Sequence, residues 1–436
     1  MRLRRAGRGS GTSVEGVILS QDDGLRDAAS VDFGHRVHRR PVAVARPRSA
    51  GEVAEVVRDA AASGTPVAAR GRGHSGYGQA QTTGVVIDMS TLAAVHEVRD
   101  DRVVVDAGAS WDAVLEAAWR CGGAPPVLTD YLGLSVGGTL SVGGIGGTSF
   151  RYGLQTDTVT ELQVVTGEGS VRTCVPGDDL FAAALGGLGQ CGVITRATLR
   201  LAGARERVRR REIDHATVSA AAAEQLRYVE EGRYDFVQGQ VRYGESRRRV
   251  FVETATYYTP PSTPDGDGQD LPYLDFQHRL DAAEVLLTRT GAWSLPHPWW
   301  NCFLPVSTAV DFLETLVDTL TADDLGPAGC VLFYPVFPAR VHAPLVRLPA
   351  ERVAFLIAIL RFPPDAAAAA GQVAQNAHVH REARRRGGVV YPVGAIPFTA
   401  ADWQHHYGAE WARLSEWKSR WDPAHILTPG PDIFPR

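Results

Sequence analysis

A glycine-rich loop that follows a short apolar strand most constrains what this chain can fold into. The apolar residues are 66–69, and the loop reads Arg70-Gly71-Arg72-Gly73-His74-Ser75-Gly76-Tyr77-Gly78-Gln79. Glycine lets the backbone approach a flat, phosphate-bearing ligand closely and offers N–H groups to anionic oxygens. His74 adds an imidazole, whose ring nitrogen can form a bond to such a ligand. The loop therefore predicts a nucleotide-cofactor site that contains a nucleophile.

Two stretches match the pattern G-x-G-x-x-G, which in a dinucleotide-binding fold follows a strand and opens a helix. They are residues 71–76 and 187–192. A polar loop follows the first stretch, and a strand-like run, Val193-Ile194-Thr195-Arg196-Ala197-Thr198-Leu199, follows the second. Neither context fits the fingerprint, so the sequence disfavours an NAD-binding Rossmann fold.

The order of predicted elements indicates an α+β chain with two domains. Ser49-Ala50-Gly51-Glu52 has the capping-box pattern and predicts a helix that ends at Gly64. Other helices are predicted at 111–120 and 180–185, and strands at 84–88, 102–106, 161–165, 170–174 and 192–201. The arginine-rich run 205–211 is interpreted as a solvated boundary between the domains.

Length and charge exclude several classes of protein. A chain of 436 residues is too long for one ordinary core. Its net charge of −4 gives no reason to expect nucleic acid or a membrane as a partner. The five cysteines are widely spaced, so no metal site is predicted. The basic N-terminus lacks an apolar stretch after it, and we expect a cytoplasmic protein that is a monomer or a small homo-oligomer.

Seven segments, taken in chain order, resemble the motifs of cytokinin dehydrogenases, which are vanillyl-alcohol-oxidase-like flavoproteins. The segments are GRGHSGYGQAQ, DYLGLSVGGTLS, GGLGQCGVITRATL, VFVETATYY, PHPWWNCFLP, DWQHHYGAEW and DPAHILTPGPDIF, and the likeness spans residues 40–434. The resemblance implies a p-cresol methylhydroxylase-type FAD domain and a substrate domain built on an antiparallel sheet with helices. We assign an N-terminal arm to 1–38, the FAD-binding domain to 39–203, the substrate-binding domain to 204–390, and a C-terminal segment returning to the FAD domain to 391–436.

The resemblance also implies which residues bind the cofactor. The histidine of the family's GHS motif carries FAD covalently through the 8α-methyl group, and this role falls on His74. The other residues implied to contact FAD are Gly71, Arg72, Gly73, Ser75, Gln79, Asp130, Ser135, Ser141, Ile145, Ile194, Tyr391 and Thr428. Residues 392–397 depart from the family pattern beyond Tyr391, and Pro431 stands where the family has a glutamine that contacts FAD.

Two carboxylates and one aromatic stretch are implied to act on the substrate. Asp130 matches the family's active-site base, although an isolated aspartate in this context would be read as a turn or cap residue. Strand alternation puts Glu253 on a largely apolar face, where a carboxylate is either functional or paired with an arginine. Glu253 matches a residue that contacts the adenine moiety and is assigned with Asp130 to catalysis and substrate binding. The consecutive residues Trp299, Trp300 and Asn301 match the substrate pocket.

The implied reaction oxidises the secondary amine of an N6-alkylated adenine, a cytokinin, to an imine that hydrolyses to adenine and an aldehyde. Asp130 would accept the amine proton, and the reduced flavin would pass its electrons to a quinone-type acceptor or to dioxygen. Two alternatives stay open. The same fold could oxidise an alcohol, a sugar or another amine, or the protein could bind cytokinins without turnover.

Overall fold

The computed structural model describes residues 19–244 and 248–435. Its strands, β1 to β19 in chain order, are Leu19–Ser20, Ala43–Ala45, Val67–Arg70, Val85–Asp88, Val95–Val98, Arg102–Asp106, Gly123–Ala124, Val159–Val165, Val171–Cys174, Val193–Arg200, Ala202–Gly203, Arg207–His215, Phe236–Tyr243, Arg248–Tyr258, Gln269–Pro272, Trp300–Pro305, Cys330–Val336, Ala354–Leu360 and Val389–Val390. Its α-helices, α1 to α14, are Asp23–Ala29, Ala50–Ser63, Trp111–Trp119, Val136–Leu140, Ser149–Tyr152, Asp179–Ala184, Val218–Glu231, Tyr273–Gln277, Asp281–Arg289, Val306–Thr319, Ala322–Leu325, Ala366–Arg385, Ala400–Tyr407 and Trp411–Trp421. None of the helices in these ranges has the length and apolar character that a membrane span requires.

A four-stranded sheet in the order β1-β2-β4-β3 leads into the glycine-rich loop. Strands β2, β3 and β4 run parallel, and β1 pairs antiparallel with β2. The helix predicted after Ser49 is α2: its N-cap side chain accepts a hydrogen bond from the Glu52 N–H, and Gly64 ends it at φ 64°. Residues 71–80, which follow β3, contain no helix. This confirms that the first G-x-G-x-x-G stretch is not a dinucleotide fingerprint.

A five-stranded antiparallel sheet in the order β5-β6-β10-β8-β9 packs beside the first sheet. The hairpin predicted between 161 and 174 is β8–β9, with Val165 opposite Val171. The strand predicted after the second G-x-G-x-x-G stretch is β10, which lies at the centre of this sheet between β6 and β8. Side chains alternate between the two faces of the sheet, and Leu162 and Val164, two residues apart on one face of β8, are fully buried.

An eight-stranded antiparallel sheet in the order β15-β12-β14-β13-β17-β18-β16-β19 forms the second domain. One face packs against α7 and α10 and buries the second core, to which Trp300, Cys302 and Leu304 belong. The opposite face joins the core of the first domain through Phe303 and Tyr334. Because side chains alternate between the faces, neighbouring residues of β16 serve different cores. The architecture is the predicted α+β arrangement of two domains.

The arginine-rich run between 205 and 211 is not a solvated boundary, which corrects the sequence interpretation. Most of it belongs to β12, which pairs with β14 and β15. Arg209 Nη2 lies 2.8 Å from Asp270 Oδ2, and Arg210 Nε lies 2.5 Å from Glu253 Oε1. The carboxylates that pair with these arginines are supplied by neighbouring strands, 61 and 43 residues later in the chain. The sequence near these arginines therefore could not predict that Asp270 and Glu253 are their partners.

Both ends of the described chain contact the first sheet. Of the predicted arm, residues 1–18 lie outside the described residues, whereas the part from residue 19 onward carries β1 and α1. At the other end, the Thr428 N–H donates to the Val67 carbonyl at 2.7 Å. The loop before Thr428 is held by a buried ion pair, in which Lys418 Nζ lies 2.7 Å from Asp422 Oδ2. The C-terminal segment therefore lies against β3, just before the glycine-rich loop.

Candidate active site

A cleft with an empty volume of about 1040 Å³ opens beside the glycine-rich loop. The loop after β3 forms one wall, residues 134–142 with α4 form the second, and residues 188–194 form the third. Ten of the residues predicted to bind the cofactor line this cleft: Gly71, Arg72, Gly73, His74, Ser75, Gln79, Ser135, Ser141, Ile194 and Thr428. Segments that are far apart in the chain thus form one cavity.

The first wall of the cleft is bare backbone. A Cβ atom built on Gly71 would lie 1.9 Å from Ser135 Oγ, so no side chain fits at this position. Gly73 has a φ of 66°, which L-residues rarely adopt, and a Cβ there would lie 2.2 Å from Arg70 Nη2. Glycine at positions 71 and 73 therefore lets the loop pack closely against Ser135 and Arg70.

His74 lies in the loop with its ring among other aromatic rings. Its centroid is 3.9 Å from that of Phe33, in a stacked arrangement, and 5.1 Å from that of Tyr131. The ring forms no hydrogen bond with the described residues. Burial lowers the pKa of His74 to about 3, with a smaller effect from His297. The imidazole is therefore neutral at physiological pH.

Arg72 and Gln79 hold the edges of the loop. The Arg72 Nε donates to the Gly133 carbonyl at 3.0 Å. The Gln79 Nε2 donates to the carbonyl oxygens of Pro392 and Gly394 at 3.3 and 3.2 Å. Through these bonds the loop is attached to the second wall and to the segment whose sequence departs from the family pattern.

The C-terminal wall of the cleft contains Thr428. Its Oγ1 donates to the Gly189 carbonyl at 2.9 Å, and its own carbonyl accepts from Gln190 Nε2 at 2.8 Å. Pro431, which replaces the family's glutamine, is not among the residues that line the cleft, and its carbonyl accepts from Trp403 Nε1 at 2.7 Å. The departure at Pro431 therefore leaves the Thr428 wall in place.

Three predicted cofactor residues do not line the cleft: Tyr391, Ile145 and Asp130, of which Asp130 lines a different cavity. The Tyr391 hydroxyl accepts a hydrogen bond from the Gly144 N–H at 3.0 Å, and its ring packs on Phe303. Ile145 is buried in the main core. Tyr391 and Ile145 therefore pack behind the glycine-rich second wall, on the side away from the cleft.

The predicted carboxylates belong to a charged cluster on the inner face of the second domain, which we call the carboxylate cluster: Asp130, Gln238, Glu253, Arg279 and Arg210. Gln238 Nε2 donates to Asp130 Oδ2 at 2.8 Å, and Arg279 Nη2 pairs with Asp130 Oδ1. Arg279 Nε lies 3.7 Å from Glu253 Oε2, and Arg210 binds the other oxygen of Glu253. Burial acts to lower the pKa of Arg279, but Asp130 and Glu253 offset it and raise the pKa above its usual value. One guanidinium therefore joins both carboxylates.

Glu253 is paired with arginines, which is one of the two alternatives that the sequence left open for it. It lies on the predicted face of β14 with only 2 % of its surface exposed, and arginines contact both of its oxygens. A buried carboxylate without such partners would be strongly destabilising. Glu253 does not line the cofactor cleft. Its direct contact is with Arg279 and Arg210.

Residues 129–131 connect the carboxylate cluster to the cofactor cleft. Asp130 and Arg279 line a second cavity, with an empty volume of about 1160 Å³, between the two domains. The next residue, Tyr131, contacts the His74 ring, and its hydroxyl donates to Glu284 Oε1 at 2.9 Å. Asp130, the predicted base, is thus followed directly in the chain by Tyr131, whose ring contacts His74.

The structure separates the three residues of the predicted aromatic stretch. Trp299 lies 5.8 Å from the His74 ring, edge to face, and its Nε1 donates to the Arg361 carbonyl. Trp300 is fully buried in the second core against Phe312, on the opposite face of β16 from Asn301. A contact between Trp300 and substrate is therefore not supported. The Asn301 Nδ2 is buried and donates no hydrogen bond to any described residue.

Several residues at the site carry no motif that sequence reasoning could use. Arg279 and Gln238 contact Asp130 from 149 and 108 residues away in the chain. Asp32 and Phe33 contact the glycine-rich loop from a segment that the sequence assigns to an arm. His297 stacks on Phe33 and lies inside a segment quoted for the family resemblance, so only that segment carried a signal.

The cleft fits FAD. Glycine backbone and the hydroxyl of Ser135 offer hydrogen bonds to phosphate oxygens, while apolar side chains such as Leu134 and Val142 suit flat rings. The glycine-rich loop and the second wall of the cleft pack closely together, since a Cβ atom on Gly71 would clash with the Ser135 hydroxyl.

Comparisons with known proteins agree with this geometry. The FAD-binding domain family matches residues 41–175, and the family model described as "Cytokinin dehydrogenase 1, FAD and cytokinin binding" matches residues 267–434. Cytokinin dehydrogenase 10 of Oryza sativa subsp. japonica is 35 % identical, over 96 % of this chain and 88 % of its own length. The chain belongs to the cytokinin dehydrogenase family. It is an FAD-dependent oxidoreductase with an FAD-binding domain and a domain for a small-molecule substrate.

Two other relatives show the breadth of the family. Cytokinin dehydrogenase 4 of Arabidopsis thaliana is 34 % identical, over 93 % of this chain and 90 % of its own length. An uncharacterised oxidoreductase, ORF5 in the fasciation locus of Rhodococcoides fascians, is 40 % identical, over 95 % of this chain and 98 % of its own length. The relatives of this chain thus include an oxidoreductase of Rhodococcoides fascians whose name states no substrate.

Proposed function

We propose that this enzyme oxidises the secondary amine of N6-alkylated adenines to an imine, which hydrolyses to adenine and an aldehyde. The course of residues 129–131 carries the proposal. Asp130 enters the carboxylate cluster, while Tyr131 contacts His74 in the cofactor cleft. Asp130 is therefore one residue along the chain from a ring that touches the cofactor anchor, and a coupled removal of proton and hydride needs a base near the cofactor.

The cleft residues would hold the cofactor, and His74 would hold it covalently. Bound FAD supplies the acceptor for a hydride from the carbon next to the amine nitrogen. His74 supports the covalent assignment because its ring is neutral and has no hydrogen-bond partner among the described residues. A neutral imidazole has a free nitrogen lone pair, which is what bonding to the 8α carbon needs.

Asp130 accepts the amine proton in this proposal. Gln238 and Arg279 each hold one of its oxygens, and both residues belong to the second domain. The direction of the remaining lone pairs is therefore fixed by the domain that forms the substrate side, through β13 and the turn between α8 and α9. Glu253 acts as a positioning residue: it pairs with Arg279, which in turn pairs with Asp130. This replaces the direct contact with adenine that the sequence suggested.

Trp299 and Asn301 are the groups that would receive the adenine ring. Trp299 presents an indole next to His74, and such a ring packs well against a flat heteroaromatic. Asn301 offers a buried amide donor that no described residue satisfies, and a purine ring nitrogen is a matching acceptor. The pair favours a flat, nitrogen-containing substrate over a sugar.

We also propose domain limits at 39–203 for FAD binding and 204–390 for substrate binding, with 391–436 returning to the first domain. Strands β2 to β11 lie within 39–203, and the strands of the eight-stranded sheet, β12 to β19, lie within 204–390. The contact between Thr428 and Val67 supports the return of the C-terminal segment.

Anaerobic mixing tests the substrate class. Purified holoprotein is mixed with N6-isopentenyladenine, with a panel of alcohols and sugars, or with adenine, and the visible absorbance of the oxidised flavin is followed. We expect complete bleaching with N6-isopentenyladenine alone. Bleaching only with alcohols or sugars would assign another substrate class, and binding of N6-isopentenyladenine without bleaching would identify a non-catalytic binding protein.

A further inference from the structure

Three consecutive residues, Asp32, Phe33 and Gly34, grip the glycine-rich loop on both sides of His74. We propose that these residues, the 32–34 clamp, are positioning residues that orient the His74 ring for attachment to FAD. The inference rests on the proposed attachment at His74 and extends it by naming what holds the imidazole in place. It assigns a role to a segment that the sequence suggested was an arm.

The clamp pairs with the loop through the main chain. The Phe33 N–H donates to the Gly73 carbonyl at 2.8 Å, and the Gly34 N–H donates to the Ser75 carbonyl at 3.0 Å. These two bonds bracket His74. A Cβ built on Gly34 would lie 1.9 Å from the Gly76 carbonyl oxygen, so only glycine permits this approach. The backbone on either side of the anchor is therefore fixed.

The Asp32 side chain closes the loop after His74. Asp32 is 1 % exposed, and its Oδ2 accepts from Ser75 Oγ at 3.0 Å and from the Gly78 N–H at 2.5 Å. Both donors converge on the same oxygen, while Oδ1 is buried and has no partner among the described residues. One carboxylate oxygen thus draws together two positions that follow the anchor.

The Phe33 ring holds the imidazole plane. It stacks on His74 at 3.9 Å between centroids with 24° between planes, and on His297 at 3.8 Å with 9° between planes. His297 is fixed in turn, because its Nδ1 donates to the Phe33 carbonyl at 3.2 Å. Rotation of the His74 ring would break this three-ring stack. The stack contributes orientation without a hydrogen bond that would occupy the nucleophilic nitrogen.

Orientation matters because attachment is a reaction at a single atom pair. A bond forms between one imidazole nitrogen and the 8α carbon of FAD, one N–H and one C–H proton leave, and the two electrons released reduce dioxygen to hydrogen peroxide. A reacting group displaced by about 1 Å can lose roughly 100-fold in rate. Loss of the clamp should therefore slow attachment more than it weakens cofactor binding.

Measurement of covalent and free flavin in purified holoprotein tests the clamp. Phe33→Leu and Asp32→Ala are purified beside the wild type; total flavin is measured first, and the protein is then precipitated with acid to separate attached from released flavin. We expect the ratio of attached to released flavin to fall at least about fivefold in both variants, with total flavin retained. The expected sign is a yellow acid supernatant from a variant that was folded and loaded with flavin before it was precipitated.

Matched variants distinguish positioning from a general loss of stability. Asp32→Asn retains an oxygen for both donors and should keep the attached fraction within about twofold of the wild type. Phe312→Leu removes a buried aromatic ring from the second core and should leave attachment unchanged. If Phe33→Leu does not fold, the contrast between Asp32→Ala and Asp32→Asn decides the question.

The inference is overturned if Phe33→Leu and Asp32→Ala carry the same attached fraction as Phe312→Leu and the wild type. In that case the attachment at His74 stands and the clamp is merely structural. A wild type that releases all its flavin into the acid supernatant gives a different result, because it overturns the attachment itself and the clamp with it.

Discussion

His74 and Asp130 lie on either side of Tyr131 in the site, yet their surroundings are opposite in character. His74 lies among aromatic rings and glycine backbone, and burial, with a smaller effect from His297, lowers its pKa to about 3. Asp130 lies among charged and amide groups, with one oxygen on Arg279 and the other on Gln238. The aromatic surroundings keep the His74 imidazole neutral, whereas the carboxylate cluster gives Asp130 an ion pair and a hydrogen bond.

The contrast follows from what each group is proposed to do. An imidazole that bonds to carbon must be neutral, and an apolar pocket disfavours its protonated form. A carboxylate that accepts a proton must be aimed, and an arginine paired with two carboxylates can aim it at the cost of desolvating all three groups. Burial therefore keeps His74 neutral in one region, and in the other it is offset by the charged groups that hold Asp130 in place.

The largest expected effect is at His74. His74→Ala should abolish covalent flavin, because no other histidine and no cysteine or tyrosine among the described residues lines the cleft. Acid precipitation followed by fluorescence of the protein pellet measures this. His405→Ala, an exposed histidine in α13, serves as the control and should remain fully flavinylated. Fluorescence that stays with the His74→Ala pellet would contradict the assignment.

Arg279 carries the next largest effect. Arg279→Gln removes the cation that joins Asp130 to Glu253, and we expect kcat to fall roughly 10- to 100-fold as the base loses its direction. Arg279→Lys restores the charge without the planar fork and should recover only part of the loss. Steady-state rates per bound flavin measure both. Rates equal to the wild type, with only a lower Tm, would show that the carboxylate cluster is structural.

Neighbouring residues on opposite faces of β16 provide a matched pair. Asn301→Ala removes the unpartnered amide and should lower kcat/KM about tenfold with little change in stability. Trp300→Phe disturbs the second core and should lower the free energy of unfolding by about 1–3 kcal/mol with kcat/KM unchanged. Enzyme kinetics and denaturant unfolding separate the two effects. The reverse pattern would place the substrate on the other face of the strand.

Asp32 gives a smaller, pH-dependent effect. Burial raises its pKa to about 6, with hydrogen bonds from Gly78 and Ser75 and the charge of Arg70 offsetting part of the effect. The folded state therefore binds the proton more tightly than the unfolded chain, so this group's contribution to stability is full below about pH 4 and declines as the pH rises to about 6. The decline is on the order of 3 kcal/mol.

Asp32→Asn does not titrate and provides the reference. The free energy of unfolding of the wild type minus that of Asp32→Asn should decrease between pH 4 and pH 6.5 (a range set by the two pKa values, about 4 and about 6) in urea titrations. A difference that is constant or that increases over this range would contradict the assignment of Asp32 as a carboxyl destabilised by burial.

Local patterns predicted the elements whose signals are local. The helix after Ser49 ends at Gly64 as expected, and the β8–β9 hairpin turns where the sequence indicates. The ten residues that line the cleft came from the family resemblance, since they belong to segments that are far apart in the chain. Glycine spacing alone indicated only a cofactor loop.

The contacts that determine charge and orientation could not be predicted in the same way. The partners of Asp130 and Glu253 come from other strands and helices, and pairing across a sheet depends on register that no single segment encodes. Trp300 and Asn301 share one motif but face opposite cores, because alternation in β16 separates what the motif joins. Phe33 lies in a short segment whose composition gives no sign of a packed role.

A single-turnover comparison of the wild type with Asp130→Asn tests the central claim most directly. Both proteins are loaded with covalent flavin, mixed anaerobically with N6-isopentenyladenine, and followed by the loss of oxidised-flavin absorbance. We expect Asp130→Asn to keep its covalent flavin and to bleach at least about 100-fold more slowly than the wild type, because the amide cannot accept the amine proton. Bleaching of Asp130→Asn at the wild-type rate would contradict the assignment of Asp130 as the base beside the His74-linked cofactor.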